Sequence, residues 1–159
     1  MRANRSRSGF TLIEVLIVVI IMAILAATVI PQFTSSTKDA RQSAMAFNQS
    51  SVRSQIELYK AQHLGVLPTI VSGLIPQLTG VSDVNGNTNA TNPAAPDATK
   101  PFGPYMDQLP ANPFNALNTF EGQSLKGSST APNPDGTTGW IMDTDTGIIW
   151  PNNTTTASN

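Results

Sequence analysis

The apolar residues of this chain are concentrated near its amino terminus. Residues 10–30 are apolar apart from Thr11, Glu14 and Thr28. At about 1.5 Å rise per residue, a helix of this length covers roughly 31 Å, which is enough for the hydrocarbon core of a bilayer. The alternative is a buried core helix, but no second segment of similar hydrophobicity exists to pack against it. The pattern therefore predicts a membrane-spanning helix over residues 10–30.

A second helical pattern follows directly. Residues 32–64 contain no Gly or Pro, and apolar residues recur at intervals of 7, 4 and 3, which places them on one stripe of a helix: Met45, Val52, Ile56 and Tyr59. We expect an amphipathic helix over residues 31–64 whose apolar stripe faces a folded domain.

Three residues in or just after this helix give further predictions. Pro31 lacks an N–H group and clashes with the preceding turn, so we expect a kink there. Gly65 fits the C-cap position. His63, beside it, is predicted to be a solvated residue at the helix end and not a ligand or a base.

After Gly65 the chain becomes rich in Pro, Gly, Asn, Thr and Ser, and loops should dominate. The pattern predicts a short helix at residues 74–78, started or interrupted by Pro76, and an exposed loop over residues 81–100. Residues 103–114 should form an extended segment held across the core by Tyr105, Leu109 and Phe114.

The clearest strand signal lies near the carboxyl end. Two apolar triplets, at residues 140–142 and 148–150, flank a five-residue loop that contains Gly147, which predicts a β-hairpin. With one more strand within residues 118–125, it should form a small antiparallel sheet packed on the helical stripe. The predicted fold class is α+β: one long helix, a small sheet and extensive loops, with residues 31–159 forming a single small domain and residues 65–159 its loop-rich part.

The segment before the apolar stretch is short and basic. Residues 1–9 carry three arginines and no acid, which by the positive-inside rule holds the amino terminus in the cytoplasm. A secretory signal peptide would have a small-residue cleavage site after its apolar region, whereas here the small residue, Gly9, precedes it. A cut at Gly9 would leave the membrane span attached.

Glu14 is a carboxylate inside a membrane span, and such a residue is by default functional and in need of a partner. The segment from Gly9 to Val15 indicates a role for Glu14, because this segment resembles the cleavage and methylation signature of type IV prepilins and type II secretion pseudopilins. The resemblance implies a pilin-like fold, cleavage between Gly9 and Phe10 by a prepilin peptidase, N-methylation of Phe10, and assembly into a helical homopolymer.

Cleavage would create a cationic α-amine at Phe10, four positions before Glu14. The carboxylate could neutralise this amine within one helix or on an adjacent subunit. A buried ion pair is weak evidence for net stability, but it suits the setting of register. We therefore predict that Glu14 determines assembly; the alternative is a carboxylate that reaches the interface or is protonated.

The resemblance also implies partners and a location. These are an inner-membrane assembly platform and minor pseudopilins, with the precursor spanning the bacterial inner membrane once and its carboxyl-terminal domain in the periplasm. After assembly, the filament would lie in the periplasm or at the cell surface. Residues 67–74 and 103–114 resemble the middle of the major pseudopilin of type II secretion systems. We therefore predict that the chain is a filament subunit of this kind. The alternatives are a surface type IV pilin for adhesion, motility or DNA uptake, and a membrane-anchored periplasmic binding domain that is not processed.

Composition narrows the remaining chemistry. The leader holds three of the nine Lys and Arg residues, so six basic side chains remain against ten acidic ones, which argues against nucleic-acid binding. The chain has no Cys, one His, and no nucleophile or phosphate-loop motif, so no catalytic residue is assigned and an enzyme is not expected. Its stability must come without disulfides, in part from burial of its two Trp rings.

Calcium is the one cofactor that we consider. Asp143 and Asp145, with Asp135 nearby in sequence, offer the hard oxygen ligands that Ca²⁺ prefers. Major pseudopilins, which this chain resembles, commonly bind Ca²⁺ in a carboxyl-terminal loop. In this chain, residues 127–136 lack the acid-rich run usual there, and acids in a hairpin turn are also typical Asx-turn residues. Both interpretations stay open at the level of sequence.

Overall fold

A computed structural model describes residues 9–88, 96, 98–126 and 131–154 of the chain, without the side chain of Pro31. Most of the predicted leader, residues 1–8, therefore lies outside the described residues. The helices and strands, in chain order, are α1 (Leu12–Gln62), α2 (Pro76–Thr79), β1 (Phe120–Gln123), β2 (Trp140–Asp143) and β3 (Ile149–Pro151).

The single long helix predicted through Pro31, with a membrane-spanning part over residues 10–30 and an amphipathic part over residues 31–64, is confirmed as one element, α1. The α-helix runs through Pro31 without a break, and the Thr34 hydroxyl donates to the carbonyl of Ile30 at 3.3 Å. Proline removes one backbone hydrogen bond but does not have to end a helix whose neighbouring turns are intact. The kink at Pro31 stays a prediction.

The chain divides into two compact units, Met1–Ala40 and Arg41–Asn159. In the first unit, the described side chains from Phe10 onward are exposed. Of the helices in the described ranges, only α1 is long and apolar enough to cross a membrane, judged by length and composition, and its most apolar window is not buried.

The second unit has a core built on α1, as the stripe predicts. Val52, Ile56 and Tyr59 are buried, and the partly buried Met45 packs against the same cluster. The α2 helix, β1, the hairpin and the loop near Leu109 supply the remaining buried members: Ile75, Leu78, Leu109, Phe120, Trp140, Met142 and Ile149. One face of a helix therefore organises most of the apolar burial in this unit.

The carboxyl end of α1 differs slightly from the prediction. The helix ends at Gln62, and both Leu64 and Gly65 adopt positive φ, 55° and 84°. The Gly65 N–H donates to the carbonyl of Lys60 at 2.9 Å, which is the long-range bond of a Schellman motif. Leu64, not Gly65, thus takes the first left-handed position after the helix.

His63 corrects the prediction of a solvated residue at the helix end. Its side chain is 0% exposed, and its ring stacks on that of Tyr59 with centroids 3.8 Å apart. Nδ1 lies 2.8 Å from the carbonyl of Tyr59, and Nε2 lies 2.9 Å from the Ser82 hydroxyl. Because a carbonyl only accepts, Nδ1 carries a proton. The prediction failed because the buried stripe of α1 extends one further turn, where the chain at Ser82 covers it.

The sheet has the order β1-β2-β3. The hairpin is confirmed, since β2 and β3 are antiparallel with Ile141 opposite Trp150. A strand lies within residues 118–125 as predicted, but β1 pairs with β2 in parallel, with Phe120 opposite Trp140. The sheet is therefore mixed and not wholly antiparallel. Residues 124–139 are long enough to return the chain to the same end of the sheet, because a parallel connection needs about a dozen residues.

The loop predictions are confirmed in part. Pro76 occupies the start of α2, as expected of a proline in the first turn. Leu109 lies in the core and Tyr105 packs against it, while Phe114 is half-buried. Val81 and Ser82 are buried, so the loop predicted to be exposed over residues 81–100 begins inside the fold. Residues 89–95 and 97 of that loop lie outside the described residues.

The burial of His63 gives a stability prediction. A His63→Ala variant leaves the Ser82 hydroxyl without its partner and opens a cavity beneath Tyr59, so the free energy of unfolding should fall by about 1 to 3 kcal/mol. Urea unfolding of the full chain in detergent measures this. Glu57→Ala, at an exposed position of the same helix, is the control and should change it by less than about 0.5 kcal/mol. Equal midpoints for the two variants would show that His63 does not support the core.

Candidate functional site

The predicted cleavage junction lies just before the amino end of α1, and Glu14 lies in the first turn of that helix. Gly9 and Phe10 are exposed and precede the helix, which starts at Leu12. Thr11 is its N-cap, because the Glu14 N–H donates to the Thr11 hydroxyl at 3.4 Å and to the Thr11 carbonyl at 3.1 Å. The junction therefore lies in non-helical chain that a peptidase can reach.

Glu14 and Thr11 form one half of a capping box, in which the Thr11 hydroxyl accepts the Glu14 N–H. The Thr11 hydroxyl lies 3.5 Å from Oε2 of Glu14, so the threonine and the acid three residues later interact at the helix start. The sequence analysis did not predict this interaction between Thr11 and Glu14, although their Thr-x-x-Glu spacing is typical of a helix start. The carboxylate also lies in the first turn of the helix, near the positive end of the helix dipole.

This arrangement has a chemical consequence for cleavage. Before cleavage, the nitrogen of Phe10 is an uncharged amide, and the contacts of Glu14 are those of the helix cap. After cleavage, the same nitrogen would be a cationic amine within one turn of the carboxylate. Glu14 can thus exchange a neutral hydrogen-bond partner for an opposite charge without leaving the first turn.

From Phe10 to Phe33, the first unit presents a mostly apolar surface. Its large side chains from Phe10 to Phe33 are all exposed, from 44% at Val18 to 85% at Leu12. An exposed apolar surface of this extent marks contact with a membrane or with other proteins. Because Glu14 is the single acid of this apolar stretch, any partner that buries the helix start must also accommodate that charge.

A second candidate site is the turn between β2 and β3, where Asp143 is 4% exposed. Its carboxylate accepts the N–H of Asp145 at 3.0 Å and the hydroxyl of Thr146 at 2.6 Å. The Thr146 hydrogen bond is the largest influence on Asp143 and lowers the pKa of its carboxyl group, although burial opposes this shift. Asp143 is therefore an Asx-type turn residue held in its charged form.

The same turn fastens the chain that follows β1. The N–H of Leu125 donates to Asp143 Oδ1 at 3.3 Å, and the Ser124 hydroxyl donates to Asp145 Oδ2 at 2.6 Å. The Thr144 N–H adds a bond of 2.9 Å to the carbonyl of Gln123. We call this set, residues 123–125 with 143–146, the Asp143 clasp.

Asp135, the third predicted calcium ligand, belongs to a different cluster. It accepts the N–H of Thr137 at 2.9 Å and the side-chain amide of Asn152 at 2.8 Å, and these bonds lower the pKa of its carboxyl group. Calcium takes six to eight oxygen ligands. Within the described ranges, no group of three His, Cys, Asp or Glu side chains could hold a metal ion. The two carboxylates of the clasp do not by themselves form a calcium site, and calcium stays a prediction.

One comparison with known proteins matches the amino-terminal segment, and another matches most of the chain. A family model described as the prokaryotic N-terminal methylation motif matches residues 4–30. The chain is 30% identical over 114 residues to type II secretion system core protein G of Vibrio cholerae, which covers 72% of this chain and 70% of that protein. It is 28% identical over 126 residues to the protein of the same name from Pseudomonas aeruginosa. This alignment covers 78% of this chain and 80% of that protein. No solved structure gives a significant match.

The Asp143 clasp predicts an acid-dependent loss of stability. Because the pKa of Asp143 is lowered in the folded state, its contribution is present above the unfolded pKa of about 3.9 and is lost as the pH falls through the folded value. An Asp143→Asn variant should unfold at a lower temperature than the wild type at pH 7, and this difference should narrow below about pH 4. Thermal unfolding of the full chain in detergent across this range measures it.

Asp107→Asn is the matched control, since Asp107 is exposed. The scan is repeated at pH 7 with EDTA and with CaCl₂, which checks calcium on the same samples. A wild type and an Asp143→Asn variant with the same midpoint at pH 7 would contradict the role of the clasp.

Proposed function

Because the chain belongs to the family of type II secretion system core protein G, the major pseudopilins, we propose that it works as the structural subunit of a pilus-like filament, built from a cleaved precursor. The observation that carries this is the placement of Gly9, Phe10 and Glu14. An accessible junction directly precedes a capped helix, and Glu14 lies in the first turn of that helix. The helix beyond it exposes apolar side chains that need a membrane or a filament to cover them.

We infer that the precursor waits in the inner membrane. Residues 10–30 would span the bilayer, and the leader arginines would hold the amino terminus in the cytoplasm. The second unit, Arg41–Asn159, would then lie in the periplasm.

Processing would convert this anchored precursor into a subunit. A prepilin peptidase would hydrolyse the peptide bond between Gly9 and Phe10, and N-methylation would follow on the Phe10 amine. Glu14, already positioned by Thr11, would then pair with the new cationic amine in its own chain or in a neighbouring one. Pairing across chains would set the axial register of one subunit against the next.

The role of the finished filament would be mechanical. Subunits added at an inner-membrane assembly platform would push the filament outward, with minor pseudopilins as further partners, and exported proteins would move with it. One continuous helix, α1, holds the apolar stretch and part of the folded unit. This continuity suits the removal of subunits from the membrane one at a time. No catalytic step is assigned to this chain.

Calcium remains a separate proposal, confined to the Asp143 clasp. A cation there would use the carboxylates of Asp143 and Asp145 and would displace the hydrogen bonds from Ser124 and Thr146. A midpoint of unfolding that rises with CaCl₂ and falls with EDTA would support it. Identical scans would remove calcium from the description of this subunit.

Processing at Gly9 is the test of the proposed function. Deleting the gene should abolish export of the type II secretion substrates, and the wild-type chain should restore it. A Gly9→Leu variant should not restore it, because a bulky residue at the junction blocks cleavage and leaves residues 1–9 attached. Exoprotein activity in the medium and the intact mass of the membrane-extracted protein measure the two effects. Ala3→Leu, a bulky change elsewhere in the leader, should be processed normally.

Two results would overturn the proposal. A wild-type chain that keeps its Met1 start beside an active prepilin peptidase would favour the unprocessed membrane-anchored domain. A deletion strain that loses surface fibres but still secretes exoproteins would favour a surface pilin.

Glu14 is predicted to act after insertion and cleavage. A Glu14→Ala variant should enter the membrane and lose its leader, yet assemble poorly, because the amine of Phe10 has no opposite charge at membrane depth. Electron microscopy of sheared filaments and the mass of the subunit separate assembly from processing. Glu57→Ala removes a carboxylate from an exposed position of the same helix and should leave filament yield unchanged. Normal yields from Glu14→Ala would refute the pairing.

A further inference from the structure

The outward side of α1 in the second unit carries two large apolar residues without cover. Phe47 is 73% exposed and Leu58 is 45% exposed. They are eleven positions apart, which is about three turns and roughly 16 Å along the helix, so both project from the same side. The core residues Val52, Ile56 and Tyr59 lie on the other side of the same turns.

The surface between these two residues is unlike an ordinary solvent-facing helix, which is usually charged. Ser50 and Ser54 are exposed there, between Phe47 and Leu58. No Asp, Glu, Lys or Arg shares this strip; the three charged side chains of these turns lie to one flank of it, at Arg53, Glu57 and Lys60. We call Phe47, Ser50, Ser54 and Leu58 the outer strip.

The flanking charges are already engaged within the second unit. Arg53 donates to the carbonyl of Ile149 at 2.7 Å, and Lys60 lies 3.8 Å from Glu57. They do not form a basic surface that would attract a nucleic acid or an anionic lipid headgroup. A partner for the outer strip must therefore be recognised by apolar contact and close approach.

We propose that the outer strip is covered by a second copy of this chain in the filament. This inference rests on the proposed function and specifies one contact that the filament uses. Identical copies are the partners that a homopolymer supplies, and the strip belongs to the same continuous helix as the exposed apolar residues 10–30. Phe47 and Leu58 act as two anchors, while the serines between them let the neighbouring chain approach the backbone closely.

Photo-crosslinking in assembled filaments tests the contact directly. A benzoylphenylalanine replaces Phe47 in one full-length chain and Leu58 in another, and filaments seen by electron microscopy are irradiated. Both should give a crosslinked dimer of the subunit, identified by mass spectrometry. The same proteins dispersed in detergent are the control and should give none. Filaments that crosslink at neither position, or only to lipid or to another protein, would overturn the proposal.

Side-chain truncation gives a second readout. A Phe47→Ala, Leu58→Ala double variant should lower filament yield about tenfold, which corresponds to the loss of roughly 1.4 kcal/mol per contact. Its unfolding midpoint should stay near that of the wild type, because both side chains are exposed in the subunit. Val71→Ala, which truncates an exposed residue outside α1, should assemble normally. Normal yield from the double variant would contradict the contact.

These outcomes separate the two proposals. A wild-type chain that is never processed or assembled refutes the filament function itself. Wild-type filaments that form normally but show no crosslink at either position refute only the outer strip.

Discussion

The buried face of α1 is the constraint on which the folded unit depends. Val52, Ile56, Tyr59 and His63 are all within 1% of complete burial, and they lie along one side of the helix. The short strands and α2 place their buried side chains in one cluster with this face, so packing against it stabilises them. The helix that leaves the membrane is therefore also the main scaffold of the domain outside it.

Hydrogen bonds from polar side chains add to the stability that the small apolar core provides. In a chain without cysteine, buried or half-buried Asn and Asp residues tie the loops to the sheet. Asn112 donates to the carbonyl of Gly139 at 2.8 Å and accepts the N–H of Phe114 at 3.0 Å. Asn152 accepts the backbone N–H groups of Asp135 and Gly136 at 2.8 and 2.9 Å. With the Asp143 clasp, these bonds satisfy backbone groups that would otherwise be buried without partners.

The two units divide the work of a filament subunit. The first offers an apolar stretch, residues 10–30, whose one acid lies beside the predicted cleavage junction, so its exposed apolar surface needs lipids or other copies to cover it. The second is folded by itself, apart from the outer strip of Phe47 and Leu58. In the proposed function, the contact between Thr11 and Glu14 would link processing to assembly, because the helix start beside the predicted junction also holds the carboxylate for the amine that cleavage would create.

Local patterns in the sequence determined the apolar stretch, the stripe on α1 and the hairpin, because each depends on residues close together in the chain. Tertiary structure decided what depends on distant residues. His63 is buried because Ser82 returns to cover it, and β1 is parallel to β2 because residues 124–139 bring the chain back to the same end of the sheet. Asp135 is separated from Asp143 because Asn152 binds it elsewhere. Periodicity predicts which face of a helix is apolar, but only the fold decides which part of the chain covers that face.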